Sequence, residues 1–291
     1  MRSGGQAWGA IIVTGASSGI GRATTLALAR RGWLVFGGVR SAEDGAALLA
    51  RAGGLGVGAL VLPLRLDVTD DAALRRARAT VEEALARRGL TLAGLVNNAG
   101  VGAIGPLEEL PIARLRAALE VNAIGAVAAT QAFLPLLRAG RGRIVNVSSV
   151  SGRVAAPFLG AYAASKFALE ALSDALRVEL RPWHIFVILI EPGPVTTPIW
   201  EKGETATATD RAALGDHSPY SPYLPGVRRA TRRAAARGVP PERIALAIVH
   251  ALTAPHPRSR YLLTGHRLFF TLFARLAPDW LRDKALALPR D

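Results

Sequence analysis

Ser149, Tyr162 and Lys166 stand thirteen and then four residues apart. In a helix, positions i and i+4 share a face with Cβ atoms about 5–6 Å apart, so Tyr162 and Lys166 would be neighbours. An ammonium beside a phenol favours the phenolate, because an opposite charge stabilises the ionised form. A tyrosine of ordinary pKa about 10 would thereby come toward working pH as a proton donor or acceptor. Lysine is scarce, with Lys166, Lys202 and Lys284 set against 33 arginines. Tyr-x-x-x-Lys also occurs as an ordinary surface pair on helices, so its chemistry depends on a cofactor site elsewhere in the chain.

The N-terminal region has the pattern of such a site. Ala10-Ile11-Ile12-Val13 is a short apolar run, expected to be a buried parallel strand. Thr14-Gly15-Ala16-Ser17-Ser18-Gly19-Ile20-Gly21 follows at once, and an Ala/Leu/Arg-rich stretch to Arg31 reads as a helix. Glycines here let the backbone turn sharply and approach a pyrophosphate, which the helix N-terminus attracts through its unpaired N–H groups. The spacing Gly-x-x-x-Gly-x-Gly departs from the Gly-x-Gly-x-x-Gly fingerprint, so no match to that motif is claimed. A plain glycine-rich turn is the alternative, and its place right after the first strand weighs against it. A second strand, Leu34 to Val39, ends at Arg40 with no carboxylate before Glu43. An acid there would hold the ribose diol of NAD, whereas a guanidinium can hold a 2′-phosphate through paired charge-assisted hydrogen bonds. NADP(H) is therefore favoured, with NAD(H) as the alternative.

With these pieces in order, the chain resembles the short-chain dehydrogenase/reductase family in its compact single-domain form. The matching residues are the Thr14–Gly21 loop, Asp67-Val68, Asn97-Asn98-Ala99-Gly100, Asn122, Ser149, Tyr162, Lys166 and Pro192-Gly193-Pro194-Val195-Thr196-Thr197, spread over roughly residues 9 to 200. The resemblance implies that Tyr162 is the general acid in reduction and the general base in oxidation. Lys166 would lower its pKa and bind the nicotinamide ribose, Ser149 would donate to the substrate oxygen, and Asn122 would hold a water linking Lys166 to a proton relay. For the cofactor, it implies contacts from Gly15, Ser17, Ser18, Gly19 and Ile20 in the loop, and from Asp67 and Val68 at the adenine. Asn98 would lie against the ribose, and Val195 and Thr197, past Pro192, would orient the carboxamide. Asn98 has a second reading, as a tie between neighbouring strands, and Thr197 one as a cap. No metal site is expected.

Half of the 291 residues are hydrophobic, enough for a large core. Strand-like runs at 10–14, 34–39, 59–66, 92–97, 143–148, 185–190 and 260–263 alternate with helical stretches. That pattern predicts a Rossmann-type, doubly wound α/β fold: a mostly parallel seven-stranded sheet with helices on both faces. A single domain, 1–291, is expected, with a Pro-rich substrate lid at 192–226 and an amphipathic extension at 264–291. No signal peptide is read at the N-terminus and no run of about 18 apolar residues is found, so no transmembrane segment is expected. The absence of cysteine removes disulfides and thiolate chemistry and suits a cytoplasmic setting. The net charge of +14 and the arginines at 228, 229, 232, 233 and 237 raise a nucleic-acid reading. The cluster is alanine-rich, without interleaved aromatics, so it is taken as a solvated helix face and no nucleic-acid partner is expected.

In the extension, Leu268, Phe269, Leu272, Phe273 and Leu276 fall at helical spacing with Arg267, Thr271 and Arg275 opposite. Packing on the domain is the first reading, with cleft-capping, subunit contact or peripheral membrane contact as the others. The stretch Tyr162 to Leu180 resembles the hydroxysteroid and retinol dehydrogenase group. Val154, Phe158 and Leu159 beside the serine suit an apolar ligand, and Trp200, Tyr220 and Tyr223 would line the lid or pin it to the body. The expected activity is hydride transfer between NADP(H) and a lipophilic ketone or alcohol, by a homodimer or homotetramer. Two rivals remain: a sugar-nucleotide epimerase or dehydratase, and a sensor that binds dinucleotide without turnover.

Overall fold

The computed structural model of the protein describes residues 9–197, 218–265 and 267–287. Seven strands form one sheet in the order β3-β2-β1-β4-β5-β6-β7. They are β1 (Ala10–Val13), β2 (Leu34–Val39), β3 (Val61–Arg65), β4 (Leu92–Asn97), β5 (Arg143–Val147), β6 (Phe186–Pro192) and β7 (Arg260–Leu263). Every pairing is parallel, β6 with β7 included, so the sheet is wholly rather than mostly parallel. Chain direction along the sheet reverses beside β1, which pairs with β2 on one side and β4 on the other. At such a switch point the connections leave toward opposite faces, and a crevice opens beyond the strands' carboxyl ends.

The strands are apolar at nearly every position because helices cover both faces. β1, β2 and most of β4 and β5 are buried throughout. One face packs Ile11, Val35, Val96, Val145 and Ile188 against α1 (Gly19–Ala29) and α8 (Pro241–Thr253). The other packs Ile12, Phe36, Leu95 and Ile144 beneath α3 (Asp71–Arg88) and α5 (Gly125–Gly140). α2 (Ala42–Gly53) closes the β2–β3 edge, and α4 (Ile112–Leu119) runs beside α6 (Gly160–Glu179). α7 (Leu224–Ala236), α9 (Arg267–Leu276) and α10 (Asp279–Leu286) complete the described helices.

α4 and α5 join through one π turn, Glu120–Ile124, in which Gly125 N–H reaches Glu120 O. The combined run Ile112–Gly140 is long and apolar enough to cross a membrane by length and composition alone, but Arg114, Arg116, Glu120 and Arg138 interrupt it, so it is not an unbroken apolar stretch. Its inner face is committed elsewhere: Ala129, Phe133 and Leu137 are buried against the sheet. The helical spacing at 268–276 does give a helix, but Leu272, Leu276, Trp280 and Leu281 are exposed. The first reading of that tail, packing on its own domain, therefore fails for these side chains. The central lid residues and Trp200 lie outside the described residues. Arg229, Arg233 and Arg237 are exposed, in keeping with a solvated face.

Gly21 shows how closely the fold holds the crevice. A Cβ there would lie 2.1 Å from Gly15 O and 2.5 Å from Asn98 Nδ2, so α1 can approach the loop only without a side chain. Gly21→Ala should lower stability by about 1–3 kcal/mol, the usual range for overpacking, read as a fall in Tm. Weakened dinucleotide binding should accompany it, measured by NADPH fluorescence.

Candidate active site

The carboxyl ends of β1, β4, β5 and β6 surround a cleft of about 430 Å³. Every candidate cofactor residue lines it: the loop residues Gly15, Ser17, Ser18, Gly19 and Ile20; Arg40, Asp67 and Val68 at one end; Asn98; and Pro192, Val195 and Thr197. Ser149, Tyr162 and Lys166 line it too, whereas Asn122 does not.

The loop suits a diphosphate. Gly15 and Gly19 take positive φ values of 65° and 51°, a region that L side chains enter at a cost. Ser18 precedes α1 without a side-chain cap, and no acid stands in the first turn, so the helix N-terminus keeps its N–H groups for an anion. Thr14 Oγ1 accepts from Asn98 N at 3.0 Å and Ala99 N at 2.9 Å, while Asn98 Nδ2 donates to Thr14 O and Gly15 O. Asn98 thus does tie β4 to the loop as well as facing the cleft. Thr197 lies over the loop from the other side, where a Cβ on Gly19 would come within 3.0 Å of its Cγ2. Arg40 is exposed at the rim, just past β2. Asp67 Oδ1 accepts from the N–H and hydroxyl of Thr69, which sets the turn beside Val68.

Ser149 follows β5 and caps a short 3-10 turn, its Oγ accepting from Ser151 N at 3.1 Å. Tyr162 and Lys166 face inward from the first turns of α6, 5% and 4% exposed. Ser149 is hydrogen-bonded to the Tyr162 phenol, a contact that favours the ionised form, but burial outweighs it and pushes the phenol up to about 12. Lys166 is not among the groups that set this shift. Lys166 Nζ donates to Val147 O at 2.9 Å and sits 5.8 Å from the Tyr162 ring centre. Burial pulls that ammonium down to about 8, with the Glu170 carboxylate opposing. Burial is the largest effect on both groups, and it holds the phenol protonated.

Asn122 turns inward within the π turn and spends its amide on structure. Nδ2 donates to Val101 O at 3.0 Å and Ser165 Oγ at 2.9 Å, and Oδ1 accepts from Val101 N. Its side chain thereby joins the loop after β4 to α6; a water held there would have to use the main chain, where a π turn alters the regular hydrogen-bond ladder. Two features went unforeseen. Arg114 of α4 lines the cleft, although one arginine among 33 carries no signal in sequence. Beneath the site, Glu170, Glu191, Arg153 and Arg260 form a buried ion cluster. Its only trace in sequence is a glutamate set in the apolar run of β6.

Residues 9–207 match the short chain dehydrogenase family. An NADPH-dependent 3-dehydrocapnine reductase of Ornithobacterium rhinotracheale is 34% identical over 94% of this chain and 94% of its own length. Retinol dehydrogenase 5 of Mus musculus is 36% identical over 96% of this chain and 89% of its own. A short chain dehydrogenase from Burkholderia cenocepacia, solved in complex with NADP, superposes with a TM-score of 0.73 at 25% identity, covering 98% of this chain and 99% of that one. The chain belongs to the short-chain dehydrogenase/reductase family, and it is an NAD(P)-dependent oxidoreductase with likeness to the retinol and hydroxysteroid dehydrogenases.

The two titrations give opposite signs for the two directions. With Tyr162 as the proton donor and Lys166 as its cationic partner, reduction would use the neutral phenol, available up to about 12, and the ammonium, available only below about 8. The rate of carbonyl reduction at saturating cofactor should thus be level near neutral pH and fall above about 8, while alcohol oxidation, which needs a proton acceptor, should rise with pH. Stopped-flow or steady-state profiles in both directions test this; a reduction rate that stays level to about pH 10 would remove Lys166 from the titration.

Proposed function

We propose that the protein reduces a carbonyl of a lipophilic substrate with NADPH, Tyr162 serving as the proton donor. One observation carries this reading. A buried phenol, hydrogen-bonded to Ser149 and held protonated, opens onto the same cleft as an uncapped helix N-terminus and a guanidinium.

When bound, the dihydronicotinamide would supply a hydride to the carbonyl carbon. Negative charge then develops on the substrate oxygen, and the Ser149 and Tyr162 hydroxyls are the groups placed to donate to it. Preorganised donors of this kind contribute roughly 3–4 kcal/mol each in other enzymes. Tyr162 passes its proton to that oxygen, and the neighbouring Lys166 cation eases the phenolate left behind. The Val147 carbonyl keeps Nζ at the floor of the cleft. Arg40 would hold the 2′-phosphate, the reason for preferring NADPH over NADH. The relative from Ornithobacterium is by its name NADPH-dependent, which supports that preference.

Support for an apolar substrate comes from the likeness to retinol dehydrogenase; Phe158, buried in edge contact with Tyr220 at 5.9 Å, is not among the residues lining the cleft. Ile112, Ile124, Phe167 and Leu172 are exposed on the α4–α6 side and supply a face on which two copies would pair. A sensor without turnover would have no use for the Tyr162–Ser149 bond, which favours the oxidoreductase reading over that rival.

Absorbance loss from NADPH across a panel of lipophilic ketones tests the activity. Tyr162→Phe should lose at least about 10²-fold in kcat while keeping NADPH binding, since the ring still packs and only the proton is gone. Undiminished turnover would end this reading of Tyr162. Arg40→Asp should raise the kcat/KM ratio of NADH over NADPH by about tenfold or more, because a carboxylate repels the 2′-phosphate. An unchanged ratio would take Arg40 out of cofactor choice.

A further inference from the structure

The helix that carries Tyr162 and Lys166 also carries an acid with no part in the chemistry above. Glu170 follows Lys166 by one helical turn and is 8% exposed. Its Oε2 accepts from Arg260 at 3.1 Å, whereas its Oε1 is buried with no hydrogen-bond partner. Arg260, on β7, also meets Glu191 Oε1 at 3.1 Å and Asp174 at 2.8 Å. Glu191, fully buried near the end of β6, takes a further 2.7 Å bond from Arg153.

These contacts join the segments that shape the site. Arg153 stands four residues past Ser149, and Glu191 directly precedes Pro192 of the cofactor loop. Gly152 marks where the serine loop crosses α6: a Cβ there would meet Glu170 Cγ at 3.0 Å and Lys166 O at 3.1 Å. The charged groups of this cluster are Glu170, Asp174 and Arg177 from α6, Arg153 from the serine loop, Glu191 from β6 and Arg260 from β7, and Lys166 lies one turn before Glu170 on the same helix. Three guanidiniums face three carboxylates, and Lys166 is the remaining cation. Among the three acids, Glu170 is the one a single turn away from it.

We propose that Glu170 is a positioning residue for the proton-donor pair: its buried carboxylate, anchored by Arg260, keeps Lys166 a cation in a site that would otherwise strip its charge. This rests on the function proposed above. The directions of titration agree with it, since Glu170 is the group that opposes the downward pull of burial on Lys166. Burial and the neighbouring Glu170 carboxylate push the Glu191 carboxyl up, while Arg153 and Arg260 hold it down.

The test reads Lys166 directly. Its modification by acetic anhydride, followed by mass spectrometry against pH, reports its titration whether or not a substrate is known, and only two other lysines compete. The expected wild-type midpoint is about 8. Glu170→Gln, of the same shape, should lower that midpoint by about one unit, as loss of a nearby opposite charge does. The alkaline fall in ketone reduction should move with it. Glu170→Asp should recover much of the shift. Asp174→Asn removes another acid from Arg260 but lies a turn farther from Lys166, and should leave the midpoint in place. An unmoved midpoint in Glu170→Gln, or equal shifts in Glu170→Gln and Asp174→Asn, would overturn the proposal. A wild type that reduces no carbonyl would defeat the proposed function instead, with the labelling midpoints still deciding the part played by Glu170.

Discussion

An ammonium with almost no water around it, pinned to the Val147 carbonyl, is the constraint to which the rest of the site answers. Burying a charge is costly unless it is paired and hydrogen-bonded. One backbone acceptor is a partial answer, and an acid one turn along the helix supplies more. The phenol above it meets the same lack of water with no charge to lose, so it stays protonated. Low polarity thus gives each group a different resting state, one near its titration point and one far from it.

The sheet makes this dry floor available. Parallel strands end together on one edge, and the change of direction beside β1 parts the helices there. Crossing bonds then hold the parted ends in register. Thr14 and Asn98 link β1 to β4, and Asn97 reaches both Thr130 and Asn146, which in turn reaches Ser173 of α6. The Asn97 amide spends both donors on these bonds, although its Oδ1 is buried without a hydrogen-bond partner, and such buried polar links favour one arrangement of the strands. The glycine loop, the serine loop and α6 are therefore positioned by polar bonds as much as by apolar packing.

How much of this could be read beforehand depended on the range of the interaction. Strands such as Leu34–Val39 were legible because burial on both faces leaves an unbroken apolar run. Lys166 was legible in its spacing from Tyr162, but its effect was not. Local spacing puts the two on one face, whereas the balance of hydration depends on Val147, 19 residues away, and on packing from other strands. Asn122 illustrates the same limit. The π turn in which its side chain bonds Val101 and Ser165 has no sequence signature. In the tail, the apolar period did predict a helix, but period alone cannot say what the apolar side meets, and Leu276 is 72% exposed.

The use of arginine throughout the chain gives the single lysine of α6 its meaning. A guanidinium stays protonated at any pH a protein meets, so Arg153 and Arg260 act as fixed charges for Glu191 and Glu170. An arginine at position 166 would be equally fixed, and it would present a planar fork where one carbonyl awaits a compact head. Lysine is the cation whose charge burial can bring near its loss. The arginines around it settle the carboxylates of Glu170 and Glu191, while the Glu170 charge also opposes the effect of burial on Lys166.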